Sequence, residues 1–202
     1  MLIVVTGFGP FRGHEVNPSW EAVKGLPAIW EEGEHKLLVE EIPVEYDFVL
    51  KEVPDRWSSH SPDFIVHVGV SHLAEKLTLE TRANNTGYSS PDVKASCPPN
   101  NCCVPAFQQE KLDTCLDLQD LCHQVTVQAR DQGVEAEVSE DAGKYLCDFV
   151  YFKSLHATSG KSLFVHVPRI GKPYTVDQMT TGLKIVIKNI IKQLQCQATQ
   201  SQ

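Results

Sequence analysis

Residues 64–68 are Phe-Ile-Val-His-Val, an apolar run that only His67 interrupts. A run of this length without polar alternation is typical of a β-strand that is buried on both faces. Further strands are predicted at residues 2–5, 37–42 and 162–167, which are rich in apolar residues. The sequence therefore predicts a sheet with at least one strand that is covered on both sides.

Helix-like stretches alternate with these strands. Asn17 and Pro18 mark the start of the first helix, because Asn is a favoured N-cap and Pro is favoured at the first helical position. Pro54 is expected to break the second helix. The alternation predicts an α/β fold in which helices cover both faces of the sheet. The remaining predicted elements are helices at residues 46–57, 116–131, 144–156 and 176–195, strands at residues 76–80 and 135–138, and an irregular segment at residues 84–109 that could be a functional loop or contain a small hairpin.

Composition and charge narrow the class of protein. The 202 residues fit one domain, predicted as residues 1–202 with a frayed tail from about residue 197. The net charge of −8 and the scattered basic residues argue against binding to nucleic acid or to an anionic membrane. The N-terminal apolar run is too short for a signal peptide, and no apolar stretch is long enough to span a bilayer. We therefore expect a cytosolic protein, and we favour a monomer.

Cys147 has the strongest chemical context of the seven cysteines, which we expect to be mostly free thiols in a reducing compartment. It follows the segment Asp141-Ala-Gly-Lys-Tyr-Leu, in which Gly143 can form a turn before a helix. A thiol in the first turn of a helix faces unpaired amides and the positive end of the helix dipole, which stabilise a thiolate and could hold an oxyanion. The neighbouring Asp148 would oppose the thiolate only if its side chain turned toward the sulfur.

Two of the eight histidines, His67 and His166, interrupt apolar strands. Ligands in parallel-sheet folds gather beyond the carboxyl ends of strands, and His166 lies near such an end, so we expect it to be the general base. His67 lies inside its strand and is expected to be a core histidine held by a backbone carbonyl. A histidine base needs a partner that orients its ring. The residues alone rank Glu80 only slightly ahead of Asp141 and Glu75 for this role.

The first strand leads into Gly7-Phe-Gly-Pro-Phe-Arg-Gly13, which lacks a glycine that the dinucleotide-binding fingerprint requires. Phe8 and Phe11 could line a flat apolar pocket, and they could equally be ordinary core residues. The three cysteines within residues 97–103 have no partner motif that would complete a zinc site. We therefore expect neither a cofactor nor a metal ion.

Motifs that follow one another along nearly the whole chain match a single family. They are Thr6-Gly-Phe-Gly-Pro-Phe11, Asn17-Pro-Ser-Trp20, Ile42-Pro-Val-Glu-Tyr46, His67-Val-Gly-Val70, Thr78-Leu-Glu80, Asp141-Ala-Gly-Lys-Tyr-Leu-Cys147-Asp148 and Phe164-Val-His-Val-Pro168. On these motifs the chain resembles pyroglutamyl-peptidase I, the cytosolic cysteine peptidases of family C15 that remove N-terminal pyroglutamate from peptides. It is most similar to the vertebrate-type members, including their paralogues. The resemblance implies a three-layer α/β/α sandwich with a twisted, mixed, mostly parallel sheet.

The resemblance also implies which residues form the site. The family's catalytic triad falls on Cys147 as the nucleophile, His166 as the base and Glu80 as the acid that orients the base. The family's pyroglutamate pocket is lined by aromatic residues of the first loop, by a loop asparagine and by residues just before the nucleophile. These positions fall on Phe8, Phe11, Asn17, Tyr145 and Leu146.

Two positions depart from the family pattern. Val70 stands where bacterial members have glutamine, so we expect it to border the pocket without a polar contact to the lactam. Arg12 replaces a glycine and places a cation near the expected pocket mouth. There it could narrow the site, attract a peptide carboxylate or lower the activity.

The expected activity is hydrolysis of the amide bond after an N-terminal pyroglutamyl residue, through a thioester between the substrate and Cys147. The expected partners are peptides that begin with pyroglutamate. One alternative is a catalytically weak or inactive paralogue that binds pyroglutamyl or other capped peptides. Another is a cysteine hydrolase that acts on a different small amide.

Overall fold

A computed structural model describes residues 1–11, 15–31 and 33–200. Strands and helices alternate along these ranges. The strands are β1 (Leu2–Phe8), β2 (Lys36–Ile42), β3 (Phe64–Val70), β4 (Leu77–Glu80), β5 (Arg82–Asn84), β6 (Lys111–Asp113), β7 (Ala136–Ser139) and β8 (Ser162–Val167). The α-helices are α1 (Pro18–Lys24), α2 (Leu26–Ile29), α3 (Tyr46–His60), α4 (Leu118–Gln128), α5 (Leu146–Thr158) and α6 (Val176–Gln200).

Six strands form one mixed sheet in the order β2-β1-β3-β8-β4-β7. Neighbouring strands run parallel except where β4 meets β8. Every residue of β8 is buried, and in β3 only the last residue, Val70, is partly exposed. The predicted mixed, mostly parallel sheet is therefore confirmed, and β3 is the doubly covered strand that its apolar sequence indicates.

Helices cover both faces of the sheet. Alternate residues of β1 show the division, because successive side chains of a strand point to opposite faces. Ile3 and Val5 belong to a core that includes residues of α1, α2, α4 and α6, whereas Val4 and Phe8 belong to a core that includes residues of α3 and α5. The molecule is the predicted three-layer α/β/α sandwich.

The prediction that Pro54 breaks the second helix is wrong. Helix α3 continues through Pro54 and ends at His60. Its residues Val49, Val53 and Trp57 are buried. Proline removes one backbone donor from the helix, and the burial of these apolar side chains outweighs that loss.

Two other helices differ in length from their predictions. Helix α6 continues through residues 197–200, where a frayed tail is predicted, and Nε2 of Gln197 donates to the backbone oxygen of Cys115 at 3.2 Å. Helix α4 ends at Gln128 and is followed by a short 3₁₀ turn, Arg130–Gln132. None of the helices in the described ranges combines the length and the apolar character that crossing a membrane requires.

The irregular segment at residues 84–109 lies between β5 and β6, which pair antiparallel as a small second sheet. The side chain of Asn85 holds this segment in place. Its Oδ1 accepts from the backbone N of Val104 at 2.8 Å, and its Nδ2 donates to the backbone O of the same residue at 3.0 Å. Such side-chain bonds satisfy backbone groups that have no regular secondary structure to pair with.

Candidate active site

His166 and Glu80 meet where β8 lies beside β4. Nδ1 of the His166 ring lies 2.7 Å from Oε1 of Glu80, and both residues are buried. Thr78 of β4 is directly opposite His166, so the Glu80 side chain reaches the ring from two positions along its strand. An ionised carboxylate only accepts hydrogen bonds, so Nδ1 carries the hydrogen and Nε2 is left for proton transfer.

Glu80 is also held through its backbone. The hydroxyl of Tyr151 in α5 donates to the backbone oxygen of Glu80 at 2.8 Å. The second carboxylate oxygen, Oε2, is buried and has no hydrogen-bond partner among the described residues. Tyr151 and His166 thus fix the backbone and one carboxylate oxygen of Glu80, which is the arrangement expected of a group that orients a histidine.

Cys147 is the second residue of α5. Gly143 takes a φ of +87° in the turn before the helix, as its position in the sequence predicts. No side chain caps the start of this helix. Its first backbone N–H groups and the positive end of its dipole therefore lie beside the sulfur, where they favour negative charge.

Gly69 brings the sulfur close to the sheet, and the sequence did not single it out. A Cβ at this position would lie 3.0 Å from Sγ of Cys147 and 2.6 Å from Cζ of Phe164. Gly69 is also opposite His166 in the register between β3 and β8. Only a residue without a side chain lets the thiol, the strand and the imidazole approach this closely. The signal in the sequence was a glycine next to the end of an apolar strand.

Cys147 and Glu80 both influence the protonation of His166. Burial alone would lower the pKa of His166, but the hydrogen bonds and negative charges of Cys147 and Glu80 outweigh burial and raise this pKa to about 10. The imidazole is therefore protonated at neutral pH when it faces a thiolate. An imidazolium–thiolate pair is the reactive form of a cysteine nucleophile.

The carboxylate of Asp148 turns away from the sulfur. Its Oδ1 accepts from the backbone N of Asn84 at 3.0 Å, and its Oδ2 accepts from the hydroxyl of Tyr88 at 3.1 Å. Burial raises the pKa of Asp148 from 3.8 to about 6, against the hydrogen bonds from Asn84 and Tyr88 and the charge of Lys144. Asp148 thus anchors the segment around Asn84 and Tyr88 to the start of α5.

His67 is a core histidine, as expected, but its partners are not the expected backbone carbonyl. Its Nδ1 lies 2.7 Å from the Thr6 hydroxyl and its Nε2 lies 2.8 Å from the Ser154 hydroxyl. Complete burial lowers the pKa of His67 to about 3, so the ring is neutral. The Ser154 hydroxyl also accepts from Nε1 of Trp57 at 3.0 Å. Both ring nitrogens of His67 therefore form hydrogen bonds inside the core.

A small cavity of about 70 Å³ opens beside Cys147. Phe8 contributes to its wall and is also a core residue, since it is 3% exposed and its ring lies 6.5 Å from the Phe164 ring. Phe11 is half-buried at the wall. The cavity brings together every residue expected in the lactam pocket and adds Val44, which the sequence did not indicate. Its lining is Phe8, Phe11, Asn17, Val44, Val70, Tyr145, Leu146 and Cys147.

Asn17 holds the loop that carries the two phenylalanines. It caps α1, with Oδ1 accepting from the backbone N of Ser19 at 3.1 Å and from the Ser19 hydroxyl at 2.8 Å. Its Nδ2 donates to the backbone oxygen of Gly9 at 2.9 Å, and Oγ of Ser19 accepts from the backbone N of Phe8 at 3.1 Å. These bonds connect β1 to α1 and set the cavity wall.

The sequence and the fold both match one family. A family model described as pyroglutamyl peptidase matches residues 1–200. The chain belongs to the pyroglutamyl peptidase family. Pyroglutamyl-peptidase 1 of Homo sapiens is 44% identical over 193 residues, which cover 96% of this chain and 91% of that protein.

Two further relatives bear on the resemblance. Pyroglutamyl-peptidase 1-like protein of Homo sapiens is 29% identical over 154 residues, which cover 76% of this chain and 76% of that protein. The chain is therefore more similar to the first of these human proteins than to its paralogue. The crystal structure of pyroglutamyl peptidase I from Bacillus amyloliquefaciens has a TM-score of 0.79 at 26% identity and covers 92% of this chain and 94% of that one.

The two departures from the pyroglutamyl peptidase pattern have different outcomes. Val70 ends β3 and borders the small cavity with an apolar side chain. Arg12 lies outside the described residues, so its expected effect on the pocket mouth stays a prediction.

The competing candidates for the orienting acid form no hydrogen bond with the His166 ring in the described part of the chain, although Asp141 borders the same surface cleft as His166. Asp141 accepts a hydrogen bond from the backbone N of Gly143 at 3.0 Å, and Glu75 borders a separate surface depression near Arg169. No group of three or more His, Cys, Asp or Glu side chains among the described residues could hold a metal ion. In the 97–103 segment, the buried thiols of Cys102 and Cys103 donate to other protein oxygens.

A second and larger cleft, about 580 Å³, lies on the other side of Val70. Strands β4, β7 and β8 form its floor, and the loops at residues 71–74 and 141–143 form its sides. His166 and Glu80 lie on this floor. The site thus has a small apolar cavity at the sulfur and an open polar cleft at the imidazole.

Proposed function

We propose that this protein is a cysteine peptidase that hydrolyses the amide bond after an N-terminal pyroglutamyl residue of peptides. One observation carries the proposal. Cys147 lies at an uncapped helix start against Gly69, which is opposite His166 in the sheet, and Nδ1 of His166 is 2.7 Å from Glu80. Membership of the pyroglutamyl peptidase family supports the same activity.

Acylation begins with the thiolate of Cys147. Its sulfur attacks the carbonyl carbon of the pyroglutamyl residue and forms a C–S bond, while the carbonyl electrons move onto the oxygen. Backbone N–H groups at the start of α5 stabilise this oxyanion. The oxyanion then collapses, the C–N bond breaks, and His166 gives its proton to the leaving amine.

Deacylation returns the enzyme to its first state. Neutral His166 takes a proton from water as the water oxygen attacks the thioester carbon. The C–S bond breaks, free pyroglutamate leaves, and the thiolate of Cys147 again faces a protonated imidazole. Glu80 keeps the ring in one orientation through both steps and stabilises its charge.

The small cavity accounts for the selection of pyroglutamate. A pyroglutamyl residue has a small, neutral lactam ring and lacks the charged amine of an ordinary N-terminus. The apolar walls from Phe8, Phe11 and Val44 accept such a ring and exclude a charged one, because the charge would lose its hydration. Hydrogen bonds from the backbone to the lactam add selectivity.

The same proposal covers the setting in which the protein acts. We infer that residues 1–202 work as one domain, as a monomer, on peptides in the cytosol. All seven cysteines are free in the described structure, which is in keeping with a reducing compartment.

The direct test is the release of a fluorophore from a pyroglutamyl amide. The wild-type protein is expected to turn over this substrate, and Cys147→Ser is expected to reduce the rate to background while keeping the same circular dichroism spectrum. An exposed thiol gives the matched control, because Cys196→Ser should keep full activity. Binding of the substrate without turnover by the wild type would contradict the proposal and favour a binding protein.

A further inference from the structure

The large cleft is placed to receive the leaving part of a peptide. In the proposed mechanism His166 gives its proton to the leaving amine, so the residues behind that amine lie on the side where the imidazole is accessible. His166 lies on the floor of the 580 Å³ cleft and does not border the small cavity. The cleft is therefore the place for the residue that follows pyroglutamate.

A row of side chains from three neighbouring strands forms the floor of this cleft. Thr78 of β4 is in register with His166 of β8 on one side and with Glu137 of β7 on the other. Residues in register point to the same face, and adjacent strands lie about 4.8 Å apart, so Glu137 stands roughly 10 Å across the floor from His166. Oγ1 of Thr78 donates to Oε1 of Glu137 at 3.4 Å.

The cleft carries negative charge. Two exposed carboxylates border it, from Glu137 and Asp141, and no lysine or arginine does so among the described residues. The charge of the third carboxylate, Glu80, is balanced by the His166 ring to which it is paired at 2.7 Å. Arg169 does not line the cleft itself, and its Nε donates to Nδ1 of His72 on the cleft wall at 2.8 Å. The buried Oε2 of Glu80 has no partner in the described part of the chain. The cleft thus contains one buried acceptor, Oε2 of Glu80, and two exposed carboxylates, those of Glu137 and Asp141.

We propose that this cleft is the subsite for the residue that follows pyroglutamate, and that it favours lysine or arginine there with Glu137 as the determinant. This inference rests on the proposed peptidase function. The methylene groups of a basic side chain can lie over Thr78 while its charged end reaches Glu137. An acidic residue in the same place faces the carboxylates of Glu137 and Asp141 and is repelled.

The test compares three peptides that differ only in the residue after pyroglutamate, which is lysine, glutamine or glutamate. At low ionic strength kcat/KM is expected to be about tenfold higher for the lysine peptide than for the glutamate peptide, because exposed charge pairs contribute modestly and add across the cleft. This ratio should fall toward one in about 1 M salt, where such charges are screened. Equal rates for the lysine and glutamate peptides at low salt would overturn the inference.

Two charge-matched variants separate the cleft from the charge of the whole molecule. Glu137→Gln should lower the lysine-to-glutamate ratio about threefold. Glu140→Gln removes the same charge from a residue that pairs with Arg82 at 3.2 Å and does not border the cleft, so it should leave the ratio unchanged. Equal reductions by both variants would reject Glu137 as the determinant. Failure of the wild type to cleave even the glutamine peptide would instead overturn the peptidase function, and this inference with it.

Discussion

Gly69 and Cys147 together set the position of the nucleophile. Because Gly69 has no Cβ, the sulfur can lie against the backbone of β3. His166 is opposite Gly69 on the neighbouring strand, so the same contact brings the sulfur to the imidazole. The absence of a side chain at Gly69 therefore lets Cys147 of α5 lie beside His166 of β8.

Gly69→Ala is expected to lower kcat/KM for a pyroglutamyl amide about 100-fold, because a displacement of the nucleophile on the order of 1 Å has effects of this size. The added methyl group would lie 2.6 Å from the Phe164 ring and 3.0 Å from Sγ of Cys147, so one of them must move. We also expect a loss of about 1–3 kcal/mol in the free energy of unfolding, from overpacking. Steady-state kinetics and urea unfolding measure the two effects.

The matched control for this variant is Gly33→Ala. Among the described residues, no atom beyond the chain neighbours of Gly33 lies within 4 Å of a Cβ built there, so this variant should keep wild-type kinetics. Full activity in Gly69→Ala would show that the close approach to the strand is not needed.

Individual site residues could be predicted from the sequence only where a local signal exists. Cys147 has a glycine turn and a helix start beside it, and His166 lies near a strand end. The only local signal at Gly69 is a glycine near the end of an apolar strand, and this does not reveal its role because its contacts come from a helix and from another strand. The partners of His67 are 61 and 87 residues away in the chain, which is why a backbone carbonyl was expected in place of the two hydroxyls.

At the scale of elements, the connection between β1 and α1 shapes the small cavity. Asn17 uses both ends of its side-chain amide there, one to cap α1 and one to hold the backbone oxygen of Gly9. A second helix, α4, is capped by Asp117 at a distance from the site, with its side chain accepting from the backbone N of Asp120. Because both residues are N-caps and only Asn17 lies at the cavity, removing Asp117 is a matched control for removing Asn17.

Asn17→Ala and Asp117→Ala should each cost about 1 kcal/mol of stability, the usual effect of losing an N-cap. Only Asn17→Ala is expected to raise KM for a pyroglutamyl amide, by about fivefold to tenfold, because it also releases the loop that carries Phe8 and Phe11. Thermal unfolding and steady-state kinetics of the two variants test this difference. Equal KM values would indicate that the cap of α1 supports the fold alone.

The elements themselves were largely predictable, because hydrophobic periodicity and caps are local. The strand at residues 64–68 and the helix that begins after Asn17 occur where the pattern indicates. The exceptions depend on tertiary contacts. Helix α3 continues through Pro54 because neighbouring side chains are buried, and α6 continues past residue 197.

At the scale of the whole molecule, stability depends on a carboxylate buried beside the site. Asp148 joins the start of α5 to the segment around Asn84 and Tyr88. Burial raises its pKa from the ordinary value of 3.8, which holds in the unfolded chain, to about 6 in the folded protein. The folded state therefore binds the proton more tightly than the unfolded state does, and the associated stability is complete below pH 3.8 and is lost as the pH rises through 6.

Relative to Asp148→Asn, which cannot titrate, the wild type should lose about 2 kcal/mol of unfolding free energy between pH 4 and pH 7. Urea unfolding of both proteins across this range measures the difference, and ionisable groups common to both cancel. Parallel pH profiles for the two proteins would contradict the raised pKa of Asp148.

The division of the sandwich into two cores has a consequence for how this protein can change. The side chains of the proposed triad, Glu80, Cys147 and His166, lie on the α3/α5 side of the sheet, whereas α4 and α6 pack on the opposite side. The stability that the core on the α4/α6 side contributes is therefore separable from catalysis. Sequence drift or engineering on α4 and α6 can raise or lower thermal tolerance while the reaction itself stays constant.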